Sequence, residues 1–187
     1  RVEACAEGVW RHLGRMATEV VRAPRFMNED AWFRHMTFES RFPGLDDILD
    51  GRPAVCVTAH VGNWELVGHG IAMLGIPIQA LYRPLDLTSL DRWMREVRAR
   101  RGMRLVDKFG AMRRLPAIVG SGAIPALVAD QNAGERGEFV PFFGRLTSSY
   151  RSVASVLMRT RATAVVGGVL REGGAHGLGI DEGHDGA

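Results

Sequence analysis

The chain has 187 residues, of which 46% are hydrophobic and 24% are charged, with a net charge of +3. That length and apolar fraction suit a folded domain with a substantial core, and they exclude a disordered chain. Two cysteines, Cys5 and Cys56, are too few for a disulfide framework, which excludes the disulfide-rich secreted modules. No uninterrupted apolar stretch reaches the roughly 18 residues of a candidate membrane span.

The predicted elements begin with helix and then alternate. Residues 1–50 are predicted to be helical, with a break at Pro24 and an exit through residues 42–44. Short apolar runs then predict strands at residues 54–59, 76–82, 103–106, 124–130 and 164–170. Helical patterns lie between them, at residues 64–74, 89–101, 111–120 and 149–161.

This alternation predicts an α/β fold with a mainly parallel central sheet and helices on both faces. We expect one domain over residues 1–187, with a helical part at 1–50, a catalytic α/β core at 51–172 and a truncated C-terminal segment at 173–187. In that last part, Gly173 and Gly174 form a potential turn that would let residues 165–170 pair with residues 178–180 as a hairpin.

Polar residues follow three of the predicted strands, in segments 59–65, 82–84 and 130–132. In such sheets the chemistry gathers at the carboxyl ends of the strands, so these segments are expected to converge. His60 ends an apolar strand, and Glu65 follows five positions later, where a carboxylate can fold back and fix the tautomer of an imidazole base. A core histidine beside a surface glutamate explains the same spacing equally well.

Two other chemistries compete for this segment. A zinc site built from His60, Glu65 and His69 is the weaker interpretation, because helical zinc motifs place two histidines four residues apart and these are nine apart. Cys56 lies four residues before His60, but its place in an apolar strand favours packing over nucleophilic catalysis.

Residues 60–68, HVGNWELVG, resemble the H-F-G-N-W-E-L-x-G signature of the bacterial lipid A biosynthesis acyltransferases, the lauroyl and myristoyl transferases. This signature is an instance of the wider H-x4-D/E acyltransferase motif. The resemblance continues, in the order and rough spacing of that family, through residues 82–84, 98–102, 129–131 and 140–145.

The resemblance implies a glycerolipid acyltransferase-like fold and an O-acyltransferase activity without metal or cofactor. A fatty acyl group would pass from an acyl carrier protein thioester, or from acyl coenzyme A, to a hydroxyl of a lipid A precursor. His60 would be the general base and Glu65 its orienting partner, while the substrate-binding residues would be Arg83, Asp130, Asn63 and Arg145. It further implies the cytoplasmic face of the inner membrane, with any membrane-spanning anchor outside this chain.

Three alternatives stay open at this point. A related glycolipid acyltransferase of the phosphatidylinositol mannoside type more often carries Asp at the position of Glu65. A non-catalytic lipid-binding module with the same fold would not need to keep His60 and Glu65. A metal-dependent hydrolase would need the zinc ligands considered above.

Residues 92–114 carry nine basic and two acidic side chains, a local net charge of +7. Helical spacing predicts that one face packs and that the arginine face stays in solvent; the packed residues would be Leu90, Trp93, Met94 and Val97. The basic face suits an acidic carrier protein, lipid phosphates or an anionic membrane, or it is simply a solvated helix face. No nucleic-acid-binding motif is present, so nucleic acid is not an expected partner.

Overall fold

The computed structural model describes residues 2–28, 30–40, 44–99, 102–172 and 175–182. The described helices are α1 (Val2–Phe26), α2 (Gly44–Leu49), α3 (Trp64–Met73), α4 (Thr88–Ala99), α5 (Ala111–Gly120) and α6 (Ser152–Thr160). The described strands are β1 (Met36–Ser40), β2 (Ala54–Thr58), β3 (Ile78–Tyr82), β4 (Arg104–Asp107), β5 (Ile124–Val128), β6 (Glu138–Phe142), β7 (Arg145–Ser149), β8 (Thr163–Glu172) and β9 (Ala175–Glu182).

Seven of these strands form one sheet in the order β1-β9-β8-β2-β5-β3-β4. The five strands from β8 to β4 in that order are mutually parallel, which confirms the predicted α/β class with a mainly parallel sheet. All five predicted strands and all four helices between residues 51 and 172 are present, and their ends differ from the predicted ones by at most three residues.

The sheet buries both of its faces, as expected for parallel strands. Because side chains alternate along a strand, β2 contributes Ala54 and Cys56 to one core cluster and Val55 and Val57 to another. The first cluster includes side chains of α2 and α3, and the second includes side chains of α5 and α6. Helices therefore cover opposite faces of the sheet.

The N-terminal part is not wholly helical, which corrects the prediction for residues 1–50. Helix α1 continues two residues beyond Pro24, which lies in its last turn. Strand β1 then pairs in parallel with β9, and buries Met36. The predicted exit lies partly at residues 42 and 43, outside the described residues. Strand pairing with a distant segment outweighs local helical pattern here.

Two hairpins complete the fold. The predicted pairing near the C-terminus is confirmed, since β8 and β9 are antiparallel with Val169 opposite Leu178; the turn at 173–174 lies outside the described residues. The second hairpin, β6–β7, was not predicted. Its turn residues, Phe143 and Gly144, have φ angles of 48° and 73°, and Phe-Gly lacks the Asn-Gly or Asp-Gly signature usual for such turns.

Candidate active site

The neighbouring strands β2 and β5 bring His60 and Asp130 together. Thr58 lies opposite Val128 in the parallel register, and the Ala129 amide continues the pairing by donating to the Thr58 carbonyl at 2.9 Å. His60 and Asp130 each come two residues after the last paired position, so they meet at the carboxyl edge of the sheet.

Two hydrogen bonds hold His60 on Asp130. The ring Nδ1 lies 2.6 Å from Oδ1, and the His60 backbone amide donates to Oδ2 at 2.8 Å. The Trp64 ring packs edge-on against the imidazole, with centroids 4.7 Å apart. The His60 side chain is still 32% exposed, so the pair is open to a substrate.

The Asp130 carboxyl is held in its ionised form. Partial burial would raise its pKa, but the hydrogen bonds from the ring and backbone of His60 outweigh that cost and the pKa lies below its usual value. An ionised carboxylate only accepts hydrogen bonds, so the His60 proton must reside on Nδ1. In the neutral imidazole, this tautomer leaves a lone pair on Nε2, which is what a general base needs.

The loop between β2 and α3 is shaped by backbone constraints. Gly62 has a φ of +60°, and a Cβ there would lie 1.7 Å from the Val169 carbonyl oxygen, so no other residue fits. Asn63 is fully buried, and its Nδ2 donates to Glu19 on α1 at 2.8 Å. Glu19 also accepts two hydrogen bonds from Arg171 on β8, at 3.0 and 2.8 Å.

This network revises the expected position of Asn63. The resemblance placed it among the substrate-binding residues, but a side chain with no exposed surface has none to offer a substrate. Asn63 instead joins the loop to α1, and through Glu19 to β8. The sequence gives no local sign of this contact, because 44 residues separate Asn63 from Glu19.

Glu65 does not contact His60 at Nδ1, where it was expected; Asp130 takes that position. Glu65 lies in the first turn of α3 and accepts two hydrogen bonds from Arg98 on α4, at 2.9 and 2.7 Å. Both side chains are only 13% exposed. The predicted contact between Glu65 and His60 is therefore wrong. The first turn of α3 directs Glu65 toward α4, where the Arg98 guanidinium forms two parallel hydrogen bonds with its carboxylate.

Breaking this ion pair should destabilise the fold. We expect Arg98→Met to lower the free energy of unfolding by about 3–5 kcal/mol, because it leaves the Glu65 carboxylate poorly solvated and unpaired. The double variant Glu65→Gln/Arg98→Met should recover part of that loss, since no buried charge then remains. Urea unfolding of both variants measures the difference, and equal losses in the two would contradict a desolvated pair.

The basic segment is less exposed than its pattern predicted. The guanidinium groups of Arg95 and Arg98 lie 4.8 and 4.7 Å from the centre of the Tyr82 ring. Tyr82 donates its hydroxyl to Asp91, and that bond, with others from Leu85 and Arg95, lowers the pKa of the Asp91 carboxyl to about 2.

The expectation of an apolar packed face and a solvated arginine face on α4 is thus partly wrong. Val97 is buried, but Leu90 and Trp93 are exposed, whereas Arg95 and Arg98 are tied to neighbouring side chains. Among the described residues of the segment, the exposed basic side chains are Arg92, Arg104, Lys108, Arg113 and Arg114.

Arg83 and Arg145 are both exposed, at different places. Arg83 follows β3, which is two strands from β2, so its backbone lies roughly 10 Å from that of His60 across the same edge. Arg145 begins β7 in the small hairpin. Of the four substrate-binding residues expected from sequence, all of which the structure describes, Asp130 is the one with a hydrogen bond to His60.

The competing chemistries find little support in the geometry. Burial raises the pKa of the Cys56 thiol to about 12, which keeps it protonated and unreactive. In the described ranges of the chain, no three His, Cys, Asp or Glu side chains are grouped so as to hold a metal ion. None of the described helices is both long and apolar enough to cross a membrane.

Comparison with known families gives one match that covers almost the whole chain. The family model described as "Bacterial lipid A biosynthesis acyltransferase" matches residues 3–181. No curated protein matches the chain significantly. The match includes His60, Asp130 and the five mutually parallel strands.

Proposed function

Since the chain belongs to the family of bacterial lipid A biosynthesis acyltransferases and is therefore an O-acyltransferase, we propose that His60 is its general base and Asp130 the residue that positions it. The observation that carries the proposal is the His60–Asp130 pair at the open carboxyl edge of the sheet. The donor in this proposal is an acyl carrier protein thioester, and the acceptor is a hydroxyl of a lipid A precursor.

The reaction needs one proton relay and no covalent enzyme intermediate. The acceptor hydroxyl gives its proton to Nε2 of His60 as its oxygen attacks the thioester carbonyl carbon. The carbon–oxygen bond forms, the tetrahedral intermediate collapses, and the carbon–sulfur bond breaks. The proton then passes from the imidazolium to the departing sulfur, which restores the neutral base. Asp130 stabilises the imidazolium while it exists.

Arg83 is proposed to bind a substrate phosphate or the developing oxyanion. It is exposed at the same sheet edge as His60, and a guanidinium forms two parallel hydrogen bonds with such groups. Arg145 remains a proposed substrate contact from the hairpin. Asn63 and Glu65 are assigned structural roles instead, because Asn63 is buried and Glu65 forms an ion pair with Arg98.

The carrier-protein donor is supported by the charge of the surface around β4 and α5. Arg104, Lys108, Arg113 and Arg114 are exposed there and attract an acidic protein before contact is made. With a soluble acyl carrier and a lipid acceptor, the reaction takes place at a membrane surface. We place the chain at the cytoplasmic face of the inner membrane.

Salt dependence should separate Arg83 from this basic surface. Arg83→Lys should lower kcat at every salt concentration, because lysine keeps the charge but not the paired hydrogen bonds. Arg113→Gln/Arg114→Gln should mainly lower kcat/KM at low salt and approach the unmodified protein at high salt, since long-range attraction is screened. Steady-state kinetics at low and high salt provide the measurement. If the loss of kcat in Arg83→Lys disappeared at high salt, Arg83 would act only through long-range attraction, as the basic surface does.

A reconstituted transfer assay tests the proposed function itself. The purified chain is given acyl carrier protein thioesters or acyl coenzyme A, together with a lipid A precursor, and the lipid product is analysed by mass spectrometry. An added acyl mass on the precursor, with faster transfer from the carrier protein, is expected. Transfer from acyl coenzyme A but not from the carrier protein would contradict the proposed donor. Thioester hydrolysis without a lipid product would contradict the proposed acceptor.

A further inference from the structure

The hairpin β6–β7 exposes an unusual amount of apolar surface. Phe143 at its turn is 93% exposed, and Leu146 is 72% exposed. Phe139 and Phe142 are also exposed, and the Phe142 and Phe143 rings pack against each other with centroids 4.6 Å apart. Contiguous exposed apolar groups of this kind mark a surface that something covers.

The register of the hairpin shows that both of its faces are apolar near the tip. Residues opposite each other share a face, so Phe142 lies on one face with Arg145, and Pro141 and Leu146 lie on the other. A flat protein partner would cover one face of such a ribbon. A fluid apolar medium covers both faces and the tip together.

The charged residues of the hairpin indicate which kind of surface covers it. From residue 139 to residue 150 the only charged side chain is Arg145, which stands opposite Phe142 beside the turn. At the base, Glu135 and Arg136 are both exposed and the exposed Arg151 pairs with Glu138 at 3.0 Å, so these four side chains carry no net charge. An apolar tip whose one charged side chain is Arg145 complements a bilayer with anionic headgroups.

We propose that the β6–β7 hairpin inserts its tip into the interfacial region of an anionic lipid bilayer. Insertion is shallow, about 5–10 Å, because a two-stranded ribbon has unpaired backbone groups on both edges that must stay hydrated. Phe142, Phe143 and Leu146 enter the lipid, and Arg145 lies at the level of the headgroup phosphates, where it can also contact the phosphate of a lipid substrate.

The hairpin is fixed to the loop that carries Asp130, so insertion also sets the position of the active site. Ala133, three residues after Asp130, donates its amide to the Ser148 carbonyl on β7 at 3.0 Å. The Ser148 hydroxyl in turn donates to the Gly134 carbonyl. A bilayer that holds the tip therefore holds the catalytic edge of the sheet near its surface, where a lipid acceptor lies.

Vesicle binding tests this proposal without any assay of transfer. The purified chain is sedimented with vesicles of phosphatidylethanolamine and phosphatidylglycerol, and with vesicles of phosphatidylcholine alone. We expect Phe142→Thr/Phe143→Asn to weaken binding to the anionic vesicles by about 10- to 100-fold, because two aromatic rings no longer enter lipid. Binding of the unmodified chain should be weaker to phosphatidylcholine.

Matched variants control for folding and for general hydrophobicity. Phe143→Asn alone keeps the turn, since asparagine tolerates the left-handed conformation, and should lose part of the binding. Met158→Gln on α6 and Trp10→Gln on α1 each remove another exposed apolar side chain. These two variants should bind the anionic vesicles as tightly as the unmodified chain does. Thermal unfolding of each variant confirms that it is folded.

Four results would overturn the proposal. They are absence of vesicle binding by the unmodified chain, full binding by folded hairpin variants, loss of binding in Trp10→Gln with the hairpin intact, and no preference for anionic lipid. Size-exclusion chromatography adds a fifth: a dimer that becomes monomeric in the hairpin variants would show that a second copy covers the tip. Because lipid binding is measured directly, failure here leaves the proposed catalysis untouched.

Discussion

Replacing His60 by Ala should lower kcat for acyl transfer by about 10²–10⁴-fold, the usual worth of a general base. The variant lacks the imidazole that accepts the proton of the acceptor hydroxyl in the proposed mechanism. Binding of the donor should change little, because the variant keeps the basic surface and Arg83. Single-turnover transfer from an acyl-thioester to the lipid acceptor measures the chemical step.

His35→Ala is the matched control for this variant. His35 is exposed and its ring packs near Phe26, with centroids 5.1 Å apart, outside the His60–Asp130 pair. That variant should transfer at close to the unmodified rate. A His60→Ala protein that also does so would remove the proposed mechanism.

Replacing Asp130 by Asn should also lower kcat by about 10²–10⁴-fold, with KM little changed. Asp130 accepts two hydrogen bonds from His60, and an amide offers only one oxygen. When the amide nitrogen faces Nδ1, the imidazole must carry its proton on Nε2 and can no longer act as a base. When the oxygen faces Nδ1, the His60 backbone amide loses its acceptor.

Glu65→Gln distinguishes Glu65, the partner of His60 expected from the sequence, from Asp130, the partner that the structure shows. Because Glu65 pairs with Arg98, its loss should appear mainly in the free energy of unfolding, with a smaller effect on kcat. The measurement is kcat, KM and urea unfolding for both variants. A large kcat defect in Glu65→Gln beside an active Asp130→Asn would restore the sequence-based assignment and reject Asp130 as the positioning residue.

Local pattern was sufficient for the five parallel strands and the four helices between residues 51 and 172. Buried parallel strands such as β2 are short apolar runs, and helices such as α5 have amphipathic spacing, so each element is specified by its own residues. Strand β1 and the β6–β7 hairpin were missed for opposite reasons. Strand β1 needs a partner, β9, from the far end of the chain, and the hairpin turn uses Phe143 in a conformation that its sequence does not signal.

The active site likewise combines features that local sequence indicates with features that depend on the tertiary structure. Neighbouring residues alone indicate that His60 ends a strand and begins an acyltransferase motif. The sequence could not determine which carboxylate His60 contacts. Glu65 is five residues away along the chain and Asp130 is seventy away, and the sequence favours the nearer one. Only the strand order, with β5 beside β2, places Asp130 at Nδ1 and turns Glu65 to Arg98, because pairing across a parallel sheet depends on crossover connections rather than on local spacing.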